Sequence, residues 1–84
     1  MIKDEVWSVS LDRAVRFFDS LEDVEKTNEN EYRYLSAVIR LTELKPKGMG
    51  IWAAKRIKLH IEGNDEDTEA VYHRFFIQFL STGG

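Results

Sequence analysis

The residues that could carry out chemistry in this chain are few, and their spacing does not assemble a catalytic or metal-binding site. The two histidines, His60 and His73, fall in different predicted elements, and no third ligand stands at a spacing typical of zinc sites. His73 follows Glu69 by one helical turn, which indicates an ordinary surface pair. The chain has no cysteine and therefore neither a thiol nucleophile nor a disulfide. We therefore expect a non-enzymatic protein with no metal and no cofactor.

An acidic run at residues 65–69 resembles a calcium-binding loop only at first sight. An EF-hand loop needs a glycine after its alternating oxygen ligands, and Ala70 stands at that position. Carboxylates in the first turn of a helix are favoured by the positive end of the helix dipole. The run therefore indicates the start of a helix.

Positive charge is concentrated in the middle of the chain. Residues 33–60 contain seven Lys or Arg and one Glu, a net charge of +6, whereas the remaining residues carry −9 and the whole chain −3. Cations interleaved with aromatic rings on an open sheet are typical of surfaces that bind single-stranded nucleic acid. Cations on exposed strands also simply keep a sheet soluble. The candidate surface for a protein partner or nucleic acid comprises Tyr34, Arg40, Trp52, Arg56, Lys58 and His60.

The apolar periodicity indicates which elements position these residues. Apolar side chains recur every three or four positions over residues 10–25, which predicts a first helix with Ser10 as its N-cap. Residues 27–31 are polar and are expected to form a loop. The period is two from Tyr32 to Thr42 and again over residues 56–61, which predicts two strands joined by a turn at residues 45–50. Residues 6–9 fit either a short strand or a helical turn.

The last helix is expected to begin at Asp65, and its apolar arc is unusually wide. Tyr72, Phe76 and Leu80 belong to an arc that spans about half of the helix circumference. Left exposed, such a patch would exceed what a soluble monomer normally tolerates, so these three residues are candidates for an oligomer or partner interface. The alternative is that the rings fill the core of a monomer.

Together these patterns predict a single α+β domain over residues 1–84. Two helices would pack on one face of a small antiparallel sheet built on the central hairpin. The predicted order is α-β-β-α, with residues 6–9 as the only candidate for a leading strand. No stretch is long and apolar enough to cross a bilayer, and the first residues lack the pattern of a signal peptide, so we expect no membrane association and a cytoplasmic location.

The functional expectation is a small interaction or regulatory protein that acts through protein contacts as a homodimer. The alternative is a single-stranded nucleic-acid-binding domain that uses the basic and aromatic face of the hairpin. A third hypothesis is that the acidic helices imitate phosphate charge and inhibit a nucleic-acid-binding protein. The sequence identifies neither the partner nor the pathway.

Overall fold

The part of the chain that the structure describes forms one five-stranded antiparallel sheet and two helices. The computed structural model describes residues 1–48, 50 and 53–80. In chain order the elements are β1 (Ile2–Trp7), α1 (Leu11–Asp19), β2 (Glu25–Asn28), β3 (Glu31–Tyr34), β4 (Ala37–Lys47), β5 (Ala54–Glu62) and α2 (Asp65–Leu80). The strands lie in the order β1-β5-β4-β3-β2, so that β1 and β2 form the two edges of the sheet.

The predicted order α-β-β-α, with two helices on a small sheet built on one hairpin, is wrong. The observed order is β-α-β-β-β-β-α. The predicted strand from Tyr32 to Thr42 is two strands, because the chain turns back at Leu35, whose φ is 53°. Residues 27–31, expected to form a loop, include the end of β2 and the start of β3. All four residues of β2 are exposed, so its sequence carries no apolar alternation that could reveal it.

The remaining differences concern element boundaries. The first helix ends at Asp19, and β2 begins at Glu25, where the helix was expected to end. Its predicted N-cap is confirmed, since the Ser10 side chain accepts a hydrogen bond of 3.3 Å from the backbone N–H of Arg13. The undecided residues 6–9 include the end of a strand that begins at Ile2.

Aromatic rings join both helices to the sheet in one core. Phe18 of α1 is fully buried between Tyr32 of β3 and Phe75 of α2, with ring centroids 5.3 and 5.7 Å apart. The Tyr32 hydroxyl donates a hydrogen bond of 2.9 Å to Asp19 Oδ1. Burial and this contact raise the pKa of Tyr32 above its usual value. The buried apolar residues are Val9, Ala14, Phe18, Val24, Tyr32, Ala37, Ile39, Leu41, Ile57, Leu59, Ile61, Val71, Phe75 and Phe79.

The turn between β3 and β4 is fastened to the start of α2. Asn64 caps the helix, since its Oδ1 accepts a hydrogen bond of 2.8 Å from the backbone N–H of Asp67. The Asp67 carboxylate accepts one of 2.9 Å from the backbone N–H of Ser36. Hydrogen bonds from Ser36 lower the pKa of Asp67. Gly63 lies so close to this turn that a Cβ there would meet the Ala37 Cα at 2.7 Å.

β4 and β5 continue beyond their neighbours as a two-stranded ribbon. β3 pairs with β4 only as far as Arg40, and β1 pairs with β5 only from Ile57 onward. Among the described strands, residues 44–47 and 54–56 therefore pair only with each other, with an irregular register between Leu44 and Lys47. We call residues 44–47 and 54–56 the distal ribbon.

Candidate functional site

An open apolar groove of about 810 Å³ lies between β1 and α2. The ring of Trp7 stands edge-on to Phe75 and Phe76, with ring centroids 5.1 and 5.9 Å apart, and forms the floor on the strand side. The apolar lining indicates a surface that excludes water when it is covered. The lining residues are Glu5, Val6, Trp7, Ser8, Tyr72, Phe76, Phe79 and Leu80.

Two exposed apolar side chains, Val6 and Leu80, line the groove. Among the described residues, six large apolar side chains are exposed, and all but Leu35 belong to α2, to β1 or to the residue before β1. Single exposed apolar side chains are ordinary on a protein surface, whereas a contiguous group marks a contact surface. The five are Met1, Ile2, Val6, Ile77 and Leu80.

The three residues predicted to form an interface all line the groove. Tyr72, Phe76 and Leu80 follow one another at intervals of four residues, so they share one side of α2. Leu80 is 58% exposed, whereas Tyr72 and Phe76 are half-buried against β1. The interface at these residues stays a prediction. The sequence left residues 6–9 of the other wall open between a strand and a helical turn, because the charged residues of β1 hid its strand character.

A carboxylate anchors the two walls of the groove. Glu5 Oε1 accepts a hydrogen bond of 2.7 Å from the Tyr72 hydroxyl and one of 3.1 Å from Trp7 Nε1. Burial, followed by the hydrogen bond to Glu5, raises the pKa of Tyr72 to about 12. The Lys3 ammonium lies 4.7 Å from the centroid of the Tyr72 ring. These contacts hold the Tyr72 ring and the Trp7 indole in place.

Every charged side chain of β1 has a partner within the chain. The Lys3 ammonium lies 3.3 Å from the Glu69 carboxylate, and Asp4 lies 3.5 Å from the Lys58 ammonium. Glu5 accepts hydrogen bonds from the Tyr72 hydroxyl and from Trp7 Nε1. Free charges on an edge strand normally discourage another strand from pairing with it. On β1 these charges are already engaged.

The predicted basic face assembles only in part. Arg40, Arg56, Lys58 and His60 lie on the face of the sheet away from the core, as the pairing of Arg40 with His60 and of Leu44 with Arg56 requires. Tyr34 was predicted to share that face, and this is wrong. Because Leu35 and Ser36 form a two-residue turn, Tyr34 stands opposite the buried Ala37 and packs against the core.

Trp52, the remaining member of the predicted surface, lies outside the described residues. The predicted residues that do share the outer face already have partners within the chain. Arg40 Nε lies 3.2 Å from Glu31 Oε2. His60 Nδ1 lies 3.9 Å from Asp4 Oδ2. Arg56 donates a hydrogen bond of 3.1 Å to the backbone carbonyl of Lys45.

Neighbouring strands cancel the charge of the central hairpin. Over the paired strands as far as the Leu44–Arg56 pair, the outer face carries four Lys or Arg side chains and four Asp or Glu side chains. Cations alternate with carboxylates supplied by β1, β2, β3 and the end of β5. The four cations that the segment 33–60 contributes to this face are therefore balanced by four carboxylates, and this part of the face has no net charge. The residues are Arg33, Arg40, Arg56 and Lys58, and Asp4, Glu25, Glu31 and Glu62.

The distal ribbon keeps its positive charge. Lys45, Lys47 and Lys55 form no ion pair with any residue that the structure describes. All three are exposed. Because a two-stranded ribbon has few core contacts, these lysines stand on the least supported part of the sheet.

Three further observations bear on function. Within residues 1–48, 50 and 53–80, no group of three His, Asp or Glu side chains is arranged to hold a metal ion. None of the helices in this part of the chain has the length and apolar character needed to span a membrane. In comparisons with known proteins, no family model matches the chain, and no curated protein matches it either.

Proposed function

We propose that this chain is a non-enzymatic interaction protein that acts through protein contacts as a homodimer, with the groove between β1 and α2 as its contact surface. The observation that carries the proposal is the apolar lining of that groove, which includes the exposed side chains of Val6 and Leu80. Covering them would remove apolar surface from water, which is the main driving force of association.

The arrangement of the groove supports protein contact over catalysis. Its one carboxylate, Glu5, already accepts hydrogen bonds from Tyr72 and Trp7. A catalytic site needs a nucleophile or base near a polar reaction centre, whereas aromatic and apolar side chains with a hydroxyl or indole N–H are enriched at protein interfaces. A cytoplasmic location belongs to the same proposal, because a chain without cysteine cannot form the disulfides common in small secreted domains.

Single-stranded nucleic-acid binding is the second candidate, and the distal ribbon is the observation that favours it. Its three exposed lysines could contact phosphates. The outer face as a whole argues against this function, because its cations alternate with carboxylates that would repel a phosphate backbone. The hairpin face is therefore a weaker candidate surface than the groove.

The homodimer is tested with two matched variants, Leu80→Lys and Leu35→Lys. Both leucines are exposed, at 58% and 67%, so neither change opens the core. Light scattering should give a dimer mass for the wild type and for Leu35→Lys, whose site lies in the β3–β4 turn. Leu80→Lys places a charge in the groove and should give a monomer. A wild type that stays monomeric up to about 1 mM, where a contact worth about 4 kcal/mol is half formed, would overturn the proposal.

The nucleic-acid candidate is tested by fluorescence anisotropy with single-stranded RNA and DNA at low salt. Phosphate contacts must weaken as salt rises and when Lys45, Lys47 and Lys55 are all changed to Ala. A matched variant with Arg56 and Lys58 changed to Ala reports on the outer face instead. We expect no binding by the wild type. Binding that falls with salt and with the triple change would favour the second candidate over the first.

A further inference from the structure

We infer that the second copy of the chain binds by strand addition: the β1 strands of two copies pair antiparallel about a twofold axis at Asp4 and join two sheets into one of ten strands. This inference rests on the proposed homodimer and specifies how it forms. Three features of β1 carry it, namely its unpaired backbone edge, the sequence symmetry around Asp4 and its position beside the apolar groove.

Along the open edge of β1, the backbone N–H and C=O groups of every second residue are unpaired. Met1 and Gly63 exchange two backbone hydrogen bonds, of 2.8 and 3.2 Å. Because bonding alternates along an antiparallel strand, the backbone groups of Lys3, Glu5 and Trp7 point toward β5, and those of the even-numbered residues point away. Within the described sheet no strand lies on that side of β1. The groups left open are the N–H and C=O of Ile2, Asp4 and Val6.

The sequence of β1 is nearly symmetric in chemical character about Asp4. An antiparallel pair centred there places Ile2 opposite Val6 of the second copy, an apolar pair on the outer face. It also places Lys3 opposite Glu5, a pair of opposite charges on the core face. Cross-strand pairs of both kinds stabilise antiparallel sheets. The open backbone groups of all three even-numbered residues are paired in this register.

Other registers are less favourable. The open groups pair only when even-numbered residues stand opposite even-numbered ones, so the nearest alternatives are shifted by two residues. One alternative places Lys3 opposite Lys3, and the other places Glu5 opposite Glu5. Both lose one of the three backbone pairs and bring like charges together. The register centred on Asp4 has one unfavourable contact, Asp4 opposite Asp4, and each of these carboxylates already lies 3.5 Å from a Lys58 ammonium.

The other edge of the sheet does not offer the same opportunity. β2 has four residues, all exposed, and its register shifts between Lys26 and Asn28. Short, polar and irregular edge strands resist pairing with another chain. β1 has six residues and regular pairing along its whole length. Strand addition is therefore specific to the β1 edge.

Strand addition at β1 also covers the groove. A twofold axis perpendicular to the joined sheet puts the α2 helices of both copies on the same face. The groove side of α2, which carries Tyr72, Phe76 and Leu80, lies next to β1 and would face the same side of the second helix. The backbone and apolar contacts would thus form one continuous interface.

The register is tested by a disulfide cross-link, because the chain has no cysteine of its own. In an antiparallel hydrogen-bonded pair the Cα atoms are about 5.5 Å apart, within the usual range for a disulfide. Asp4→Cys should therefore form a covalent dimer under mild oxidation. The control is Val6→Cys, on the same strand and face, whose Cα atoms would be roughly 14 Å apart and should not cross-link.

The backbone pairing is tested by comparing Asp4→Pro with Asp4→Ala. Proline removes an N–H that β1 does not use within its own sheet, so it should weaken the dimer by about tenfold or more while the fold survives. Alanine removes the same carboxylate but keeps the N–H, and the dimer should persist or tighten. Light scattering measures both, and circular dichroism checks the fold.

The outcomes separate this inference from the proposed function. A wild-type dimer that keeps its affinity with Asp4→Pro, or in which Asp4→Cys fails to cross-link, overturns strand addition and leaves a dimer formed in another way. A monomeric wild type overturns both proposals. If the proline variant does not fold, the cysteine pair alone decides the question, since both cysteine variants change exposed positions.

Discussion

The hydroxyl of Tyr72 connects the two walls of the groove, and removing it should lower the stability of the protein by a predictable amount. In Tyr72→Phe, Glu5 loses its hydrogen bond of 2.7 Å but keeps the one of 3.1 Å from Trp7 Nε1. Because one donor remains, the carboxylate is not left unsatisfied. We expect a loss of about 1 kcal/mol at pH 7, the typical net contribution of one intramolecular hydrogen bond.

The pKa of Tyr72 gives a second, independent measure of the same contact. It rises from 10.0 to about 12 on folding. A group whose pKa is raised on folding contributes stability that is full below the unfolded pKa and is lost as pH rises toward the folded pKa. The window is therefore pH 10 to 12. From pH 9 to pH 11 the wild type should lose about 1 kcal/mol relative to Tyr72→Phe, and less to the extent that solvent screens the partly exposed ring.

Urea denaturation at a fixed protein concentration measures both effects. At pH 7 the urea midpoint of Tyr72→Phe should be lower than that of the wild type. Thermal unfolding at the same pH should give a melting temperature lower by roughly 4–8 °C. The difference in urea midpoint between the wild type and Tyr72→Phe should then become smaller from pH 9 to pH 11. Tyr34→Phe is the matched control, because no described residue receives a hydrogen bond from the Tyr34 hydroxyl. Equal stability at pH 7 together with parallel alkaline profiles would show that the hydroxyl does not stabilise the groove.

Two further predictions concern the junction of the β3–β4 turn with α2. Hydrogen bonds from Ser36 lower the pKa of Asp67 below 3.8, so its contribution is full above about pH 4 and is lost as pH falls through the folded value. The stability gap between wild type and Asp67→Asn, followed by urea midpoints, should therefore narrow below pH 4, and a constant gap down to pH 2.5 would contradict this. Gly63→Ala should cost about 3 kcal/mol, the upper end for overpacking, because its Cβ would meet backbone atoms at 2.7 and 2.8 Å. Gly50→Ala, with no heavy atom within 4 Å but a φ of +58°, should cost only about 1 kcal/mol, and equal midpoints for the two variants would refute the steric argument.

Sequence patterns predicted the elements in which apolar periodicity is strong. α2 begins at Asp65 as expected, and the outer-face cations of β4 and β5 share one side because both strands alternate clearly. The edge strand β2 and the first residues of β1 escaped prediction for physical reasons. β2 is exposed on both faces, and β1 places Lys3 and Glu5 on the core side, where partners on α2 accommodate them.

The charge of the surface was harder to predict than the position of its residues. Net charge along the chain is a sum over sequence neighbours, whereas a ligand meets neighbours in space. Asp4 and Glu31 are remote from the hairpin strands that they neutralise, and only the strand order brings them to Lys58 and Arg40. Without that order, the basic segment could not be recognised as part of a balanced face.

The attachment of β1 to the sheet has a consequence for how the molecule is assembled. β2 to β5 follow one another as hairpins, but β1 joins β5 through residues as far apart in the chain as Met1 and Gly63. Long-range closure costs more chain entropy than a hairpin does, so β1 is expected to dock last. Until it docks, the parts of the Phe75 and Phe76 rings that Trp7 contacts stay open to water. A newly synthesised chain would therefore be most prone to aggregation before β1 docks on β5.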